Sequence, residues 1–255
     1  MVLYNRTRRR FLEMAGVSGL GLLAGRAGAD GRDEGVSGSA LGSTTVYDDF
    51  EHGNLAANYT GDVDHPNAFS VVHQSDAPVA GAVRGEHVLE VPSGVSGTQM
   101  ISLDAPPNQQ PRAGKSFSVW VWSDGTHHTR LTFGGQRDGG WKGNDFYALW
   151  LRSAGGESRI EWFENGDRQW QEPLEPGPSL DPDQWYRVDV HWRNPAGPFA
   201  EDELGVEIYD AGGNLEQRGA TTRHEVDAGR LGFWNDHDRD ATWFFDALTD
   251  DVSDL

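Results

Sequence analysis

Residues 184–192 alternate without a fault: Tyr186, Val188, Val190 and Trp192 fall on one side, Trp185, Arg187, Asp189 and His191 on the other. A side-chain period of two held over this length specifies a β-strand with one face in a core. The opposite face carries a cation, an anion, an imidazole and an indole, and so meets something wetter. Residues 115–123 repeat the pattern, with Phe117, Val119 and Val121 on one face and Ser118, Trp120 and Trp122 on the other. Further strand signals come at 44–50, 68–73, 87–91, 98–103, 130–134, 145–152, 159–163, 204–209, 231–235 and 242–248. Turn chemistry separates them: Gly53-Asn54, hairpin signals at Asp124-Gly125 and Asn165-Gly166, and Ala211-Gly212-Gly213-Asn214. The stretch 104–114 holds three prolines and is excluded from interior strand. Many short strands with Gly and Pro turns, and no helix between them, predict an all-β fold: a two-sheet antiparallel β-sandwich.

The first 29 residues stand apart from that pattern. Arg6, Arg8, Arg9 and Arg10 form a basic head, an apolar glycine-rich run follows to Ala24, and Ala27-Gly28-Ala29 makes a small-x-small cleavage site. Thr7-Arg8-Arg9-Arg10-Phe11-Leu12 resembles the twin-arginine export motif. The apolar run is shorter than the ~20 residues of a spanning helix, so no membrane insertion is expected. The division predicted is a twin-arginine signal at 1–29, a flexible Gly/Ser-rich leader at 30–43 and one β-sandwich domain at 44–255. The location expected is extracellular or at the cell surface.

Charge narrows the function classes. The chain carries 40 acidic against 21 basic residues, a net charge of −19, and Lys115 and Lys142 are its only lysines. Without the five arginines and one glutamate of residues 1–29, 16 basic and 39 acidic residues remain, a net −23. Such acidity with so little lysine is the pattern of proteins made for concentrated salt, where added ions screen the self-repulsion. Nucleic acid is excluded as a partner, because no basic stripe exists to displace phosphate counterions. The absence of cysteine removes disulfide staples and thiolate metal sites.

Asp48-Asp49-Phe50-Glu51-x-Gly53, Phe117-Ser118-Val119-Trp120-Val121, Trp185-Tyr186-Arg187-Val188-Asp189-Val190-x-Trp192, Gly232-Phe233 and Phe244-Phe245-Asp246-Ala247-Leu248 together resemble the laminin-G-like, concanavalin A-like jelly rolls. The resemblance implies a curved two-sheet sandwich, often with calcium and often gripping sugar. The galactose-binding-like jelly roll, which also opens on a Phe-Glu-x-Gly run, stays open as the alternative topology. Members of this architecture include lectins, carbohydrate-binding modules, adhesion domains and glycosidases, so fold alone does not choose among them.

The residues carry three candidate sites. Trp120, Trp122, Arg187, Asp189 and His191 all lie on the non-core side by parity, and Trp234 is placed at the rim of the same surface. Indole faces stack on the C–H face of a sugar while charged groups hydrogen-bond its hydroxyls, so these six are the expected carbohydrate site. Packing of the same tryptophans beneath loops is the competing reading. Asp48, Asp49 and Glu51 near the start are expected to meet Asp246 near the end and offer oxygens to calcium. Asp236-His237-Asp238-Arg239-Asp240 lacks the Gly and Glu of a calcium loop and reads as an acidic hairpin loop, and His127-His128 as an exposed loop. Retaining glycosidases need two carboxyls ~5–5.5 Å apart. The pairs Glu207/Asp210 and Glu161/Glu164 each fall on opposite faces of a strand, so no catalytic set is visible. The expected function is an exported, salt-adapted, lectin-like protein binding a surface glycan. A hydrolase or lyase on the same fold, and a structural or adhesive domain, are the alternatives.

Overall fold

In the computed structural model the described residues are 46–55, 58–61, 68–79, 81–94, 97–137, 140–175, 179–235 and 240–250. The predicted signal and leader lie outside them. Among these residues fifteen strands form two antiparallel sheets. Sheet A runs β13 (Leu215–Thr221), β12 (Leu204–Asp210), β11 (Tyr186–Trp192), β6 (Lys115–Ser123), β15 (Trp243–Thr249), β4 (His87–Val91), β3 (Ser70–His73), with β1 (Val46–Asp48) also paired to β15. Sheet B runs β10 (Asp167–Pro173), β9 (Arg159–Glu164), β8 (Phe146–Arg152), β7 (His128–Gly135), β14 (Arg230–Asn235), β5 (Gln99–Leu103), β2 (Tyr59–Gly61). A 3₁₀ turn at Pro107–Gln109 falls in the proline-rich stretch barred from strand.

The expected sandwich is what forms, and alternation explains it. Phe117, Val119, Val121, Val188, Val190, Val206, Ile208 and Phe245 point inward from sheet A, and Leu131, Phe133, Leu149, Leu151, Ile160 and Phe233 from sheet B. The two sets form one core, crossed by ring contacts such as Phe117–Phe133 at 5.5 Å and Phe233–Phe245 at 4.7 Å. Gly232 is required in β14, because a Cβ there would stand 2.2 Å from the Ile101 carbonyl oxygen of the paired strand β5.

Three sequence expectations change. Asp124-Gly125 is no hairpin: it carries the chain from β6 in sheet A to β7 in sheet B, and the Asp124 carboxylate accepts the Thr242 amide at that corner. The acidic 236–240 stretch likewise joins β14 to β15 across the sheets, with residues 236–239 outside the described set. His128 is no loop residue but opens β7. Asn165-Gly166 is the hairpin turn expected, with φ of 54° and 85° between the paired β9 and β10. No helix among the described residues is long and apolar enough to cross a membrane.

Phe233 contacts Phe50, Tyr59 and Phe245 in the middle of the core. Phe233→Ala is therefore expected to cost ~3–5 kcal/mol of unfolding free energy. Leu215→Ala at a 44% exposed edge position should change it by less than about 0.5 kcal/mol. Urea midpoints of the two variants check the contrast.

Candidate functional site

Sheet A brings five of the six predicted ligand residues onto one face. Trp120 is registered against Arg187, Ser118 against Asp189 and Ser116 against His191. Loop 74–86 lies over part of that face. Trp185 donates its indole N–H to the Gly81 carbonyl at 3.0 Å. Val79, Val88, Trp122, Trp185 and Phe244 make a second apolar cluster beneath the loop, with Trp120 half-buried at its edge. Trp122 is only 2% exposed, so its indole packs the cluster and offers no ring face. Trp234 stands on β14 in sheet B, a separate sheet from the other five. The six do not form one surface.

The polar half of the sheet A face is a buried network. Arg187 pairs with Asp189 at 2.9 Å and lies over the Tyr209 ring at 4.9 Å. His191 Nε2 is 3.4 Å from a Glu207 carboxylate oxygen, and its Nδ1 is 3.0 Å from Ser116 Oγ. Asp189 sits directly opposite Glu207 on the neighbouring strand, a pairing that inspection of single strands misses. Burial pushes the Asp189 carboxyl up to about 6 against the pull of Arg187 and His191, with Glu207 adding to the rise. The hydrogen bond from His191 holds Glu207 below its ordinary value, against desolvation. Such divergence is what an acid–base pair needs. Yet Asp189 is 2% and Glu207 7% exposed, which leaves a sugar no approach to either.

The four acids predicted to hold calcium are occupied otherwise. Asp246 accepts the Val83 and Arg84 amides through one oxygen, at 2.6 and 2.9 Å, and the Ala247 amide through the other. Glu51 accepts the Glu86 and His87 amides, both at 2.8 Å. Asp48 accepts the Phe50 amide at 2.7 Å and faces His52, while Asp49 stands 3.8 Å from Arg84. Their lone pairs tie loop 83–87 and turn 48–53 to β15. No group of three metal-ligating side chains converges among the described residues, and the four as placed do not fit a calcium ion.

Sheet B carries a second set of outward aromatic and charged groups. Its outward residues fall into a register row across the strands: Met100, Trp234, Arg130, Trp150 and Arg159. Arg130 lies over Trp234 at 4.6 Å and near Trp150 at 5.6 Å. Its Nε donates to Glu161 at 2.8 Å, and Arg168 donates to the other oxygen of Glu161 at 2.9 Å. Trp234 packs with Phe146 and Phe163. On top of it, Trp141 stacks at 5.9 Å with the rings 14° from parallel. Trp141 is half-buried and, with Thr98, Gly140 and Lys142, lines a cleft of about 330 Å³. Sequence reasoning weighs Glu161 only as a catalytic acid and places Trp234 at the rim of the other sheet; Met100, Arg130, Trp141, Arg159 and Arg168 carry no signal that singles them out. The alternation of 146–152, which throws Trp150 outward and Tyr147 inward, was the signal available.

No family model matches the chain, and no curated protein matches it. Among solved structures it is similar to the carbohydrate binding module CBM66 from Bacillus subtilis, at 16% identity over 72% of this chain and 96% of that one, TM-score 0.44. A legume lectin-like domain from Entamoeba histolytica matches at 9% identity over 78% and 92%, TM-score 0.49. A conserved carbohydrate esterase from Shiga toxin-encoding bacteriophage phi24B matches at 11% identity over 81% and 97%, TM-score 0.48. What those proteins bind or cleave remains their own; the fold of this chain rests on its strand registers.

The Asp189 carboxyl has a pH signature with a defined sign. A folded-state value raised from 3.8 to about 6 means the folded protein holds that proton more tightly than the unfolded chain. Its contribution is therefore most favourable at low pH and is lost as pH climbs from about 4 to about 6. Asp189→Asn removes this dependence. Whatever constant offset comes from leaving Arg187 without its partner, stability of the parent relative to the variant should fall across that window and stay flat above it. Urea midpoints of both proteins at closely spaced pH values test it. A difference independent of pH rules out the assignment.

Proposed function

We propose that this is an exported, salt-adapted protein that binds carbohydrate on the outward face of sheet B, with the cleft beside Trp141 as its contact site. One observation carries the reading: Trp141 is a half-buried indole braced nearly parallel on the buried Trp234, at the wall of a 330 Å³ cleft that also holds Lys142 and Thr98. A ring fixed in this way presents an apolar plate to the C–H face of a sugar, and the ammonium and hydroxyl beside it answer the sugar's hydroxyls. Export is supported by the basic head, apolar run and cleavage site of residues 1–29, and salt adaptation by the net charge of −19. The partner is a glycan outside the cell or on its surface. Calcium has no part in this reading, since Glu51 and Asp246 accept main-chain amides, Asp48 faces His52 and Asp49 stands beside Arg84.

A catalytic reading has one observation in its favour, the opposed Asp189 and Glu207 with their diverging ionisations. Their burial argues for a structural network instead.

Polysaccharide pull-down in concentrated salt tests the site. Trp141→Ala should weaken retention at least about tenfold, a loss of roughly 1.4 kcal/mol, while its melting midpoint stays near the parent's. Trp122→Ala on sheet A should do the reverse, costing ~3–5 kcal/mol of stability while the folded fraction binds normally. Chelator should leave retention unchanged. Full retention by Trp141→Ala would remove the cleft from the site. No retention of the parent on any polysaccharide would leave an adhesive domain with a protein partner.

A further inference from the structure

Building on the carbohydrate reading of sheet B, we propose that the sugar is anionic, with its carboxylate or sulfate taken by Arg152 and Arg159 beside Trp150. Three guanidiniums surround one indole: Arg159 lies 3.4 Å from the Trp150 ring centroid, Arg130 5.6 Å and Arg152 5.7 Å. Arg168 adds a fourth cation at Glu161. The single buried carboxylate among them, Glu161, is already committed to Arg130 and Arg168. Arg152 and Arg159 have no carboxylate within ion-pair distance among the described residues; Arg159 donates only to the neutral Gln171 amide, at 2.7 Å. In a chain with 40 acids and 21 bases, two half-buried arginines with no carboxylate in contact are conspicuous, the Glu161 charge reaching Arg159 only at longer range.

Their setting says what they present. The Trp150 face that a neutral sugar would use is covered by the Arg159 guanidinium. The indole braces a cation instead of serving as a plate. Beside that guanidinium is a hollow of about 180 Å³ lined by Arg159, Gln171, Pro173 and Glu157. A planar fork held on a ring is pre-oriented for the two oxygens of a carboxylate or sulfate. Glu157 is an exposed acid on the rim and opposes an anion there, so the hollow discriminates between charge patterns. From Trp234 to Arg159 the row crosses three strand spacings, ~14 Å, which suits a linear polymer lying from the Trp141 cleft to the arginines.

Binding is measured with polygalacturonate and the same polymer after carboxyl reduction, and with dextran sulfate and dextran. All are run in roughly 1 M salt, where the screening length is ~3 Å and only contact pairs act. One acidic polymer should bind at least about tenfold tighter than its uncharged counterpart, and which one does assigns carboxylate or sulfate. Arg152→Gln and Arg159→Gln should each abolish most of that preference, with melting midpoints near the parent's, and Glu157→Gln should enlarge it. Equal binding of charged and uncharged polymers overturns the inference and leaves the carbohydrate reading standing. Competition by poly-L-glutamate as strong as by the acidic polysaccharide also overturns it, in favour of an acidic polypeptide. No retention on any of the four polymers removes the carbohydrate reading on which it rests.

Discussion

Closure of two apolar faces on each other decides where every chemical group of this protein stands. Side chains alternate strictly along each strand, so once Val188 and Val190 meet the core, Arg187, Asp189 and His191 must lie on the other side. A slip of one residue would bury the charges and expose the valines, which is why the register tolerates no such shift. The result is one interior and two outward faces, and the two faces are finished differently. On sheet A, loop 74–86 caps Trp122 and Phe244, and the Asp246 carboxylate holds the loop's amides. On sheet B, aromatic and guanidinium groups rise from the floor in a single row.

That row depends on a carboxylate placed where it is expensive. Glu161 is fully buried, and stripping an ion of water costs several kcal/mol unless its lone pairs are met. Arg130 and Arg168 meet both oxygens. Arg130 is in turn nearly buried between Trp234 and Trp150, so the aromatic groups exclude water from the ion pair they enclose. Loss of any one member would leave its neighbour unsatisfied. A surface built in this way loses little freedom when something docks on it.

The sequence was most legible where alternation was strongest. The strands at 115–123 and 184–192 are β6 and β11 to within two residues, and they pair with each other in sheet A. Strands β10 and β13 gave no such signal, because each is the edge of its sheet and shows mostly polar side chains. Parity also has an inherent blind spot. It separates inside from outside, but it does not say which sheet a strand joins. For that reason Trp234 was grouped with Trp120 although the core lies between them. The same limit hid Asp189 opposite Glu207, since their approach is made by pairing across strands. Of the acids at 48–51, Glu51 stands near enough to Asp246 for its charge to act on that carboxyl. What sequence did not show is that main-chain amides from residues 83–87 take one oxygen of Glu51 and one of Asp246.

Net charge and local charge point in opposite directions on this molecule, and salt reconciles them. At low ionic strength a chain of net charge −19 repels any polyanion over tens of ångströms, with a screening length of ~30 Å at 0.01 M. In concentrated salt that repulsion shrinks to a few ångströms. The partly buried guanidiniums around Trp150 act at contact distance and are screened much less. An acidic surface with a small arginine-rich recess would thus be a poor receptor for polyanions in dilute buffer and a selective one in brine. Under those conditions long-range steering contributes almost nothing. Discrimination then rests on the fit of oxygens to Arg152 and Arg159 and on the position of Glu157 at the rim.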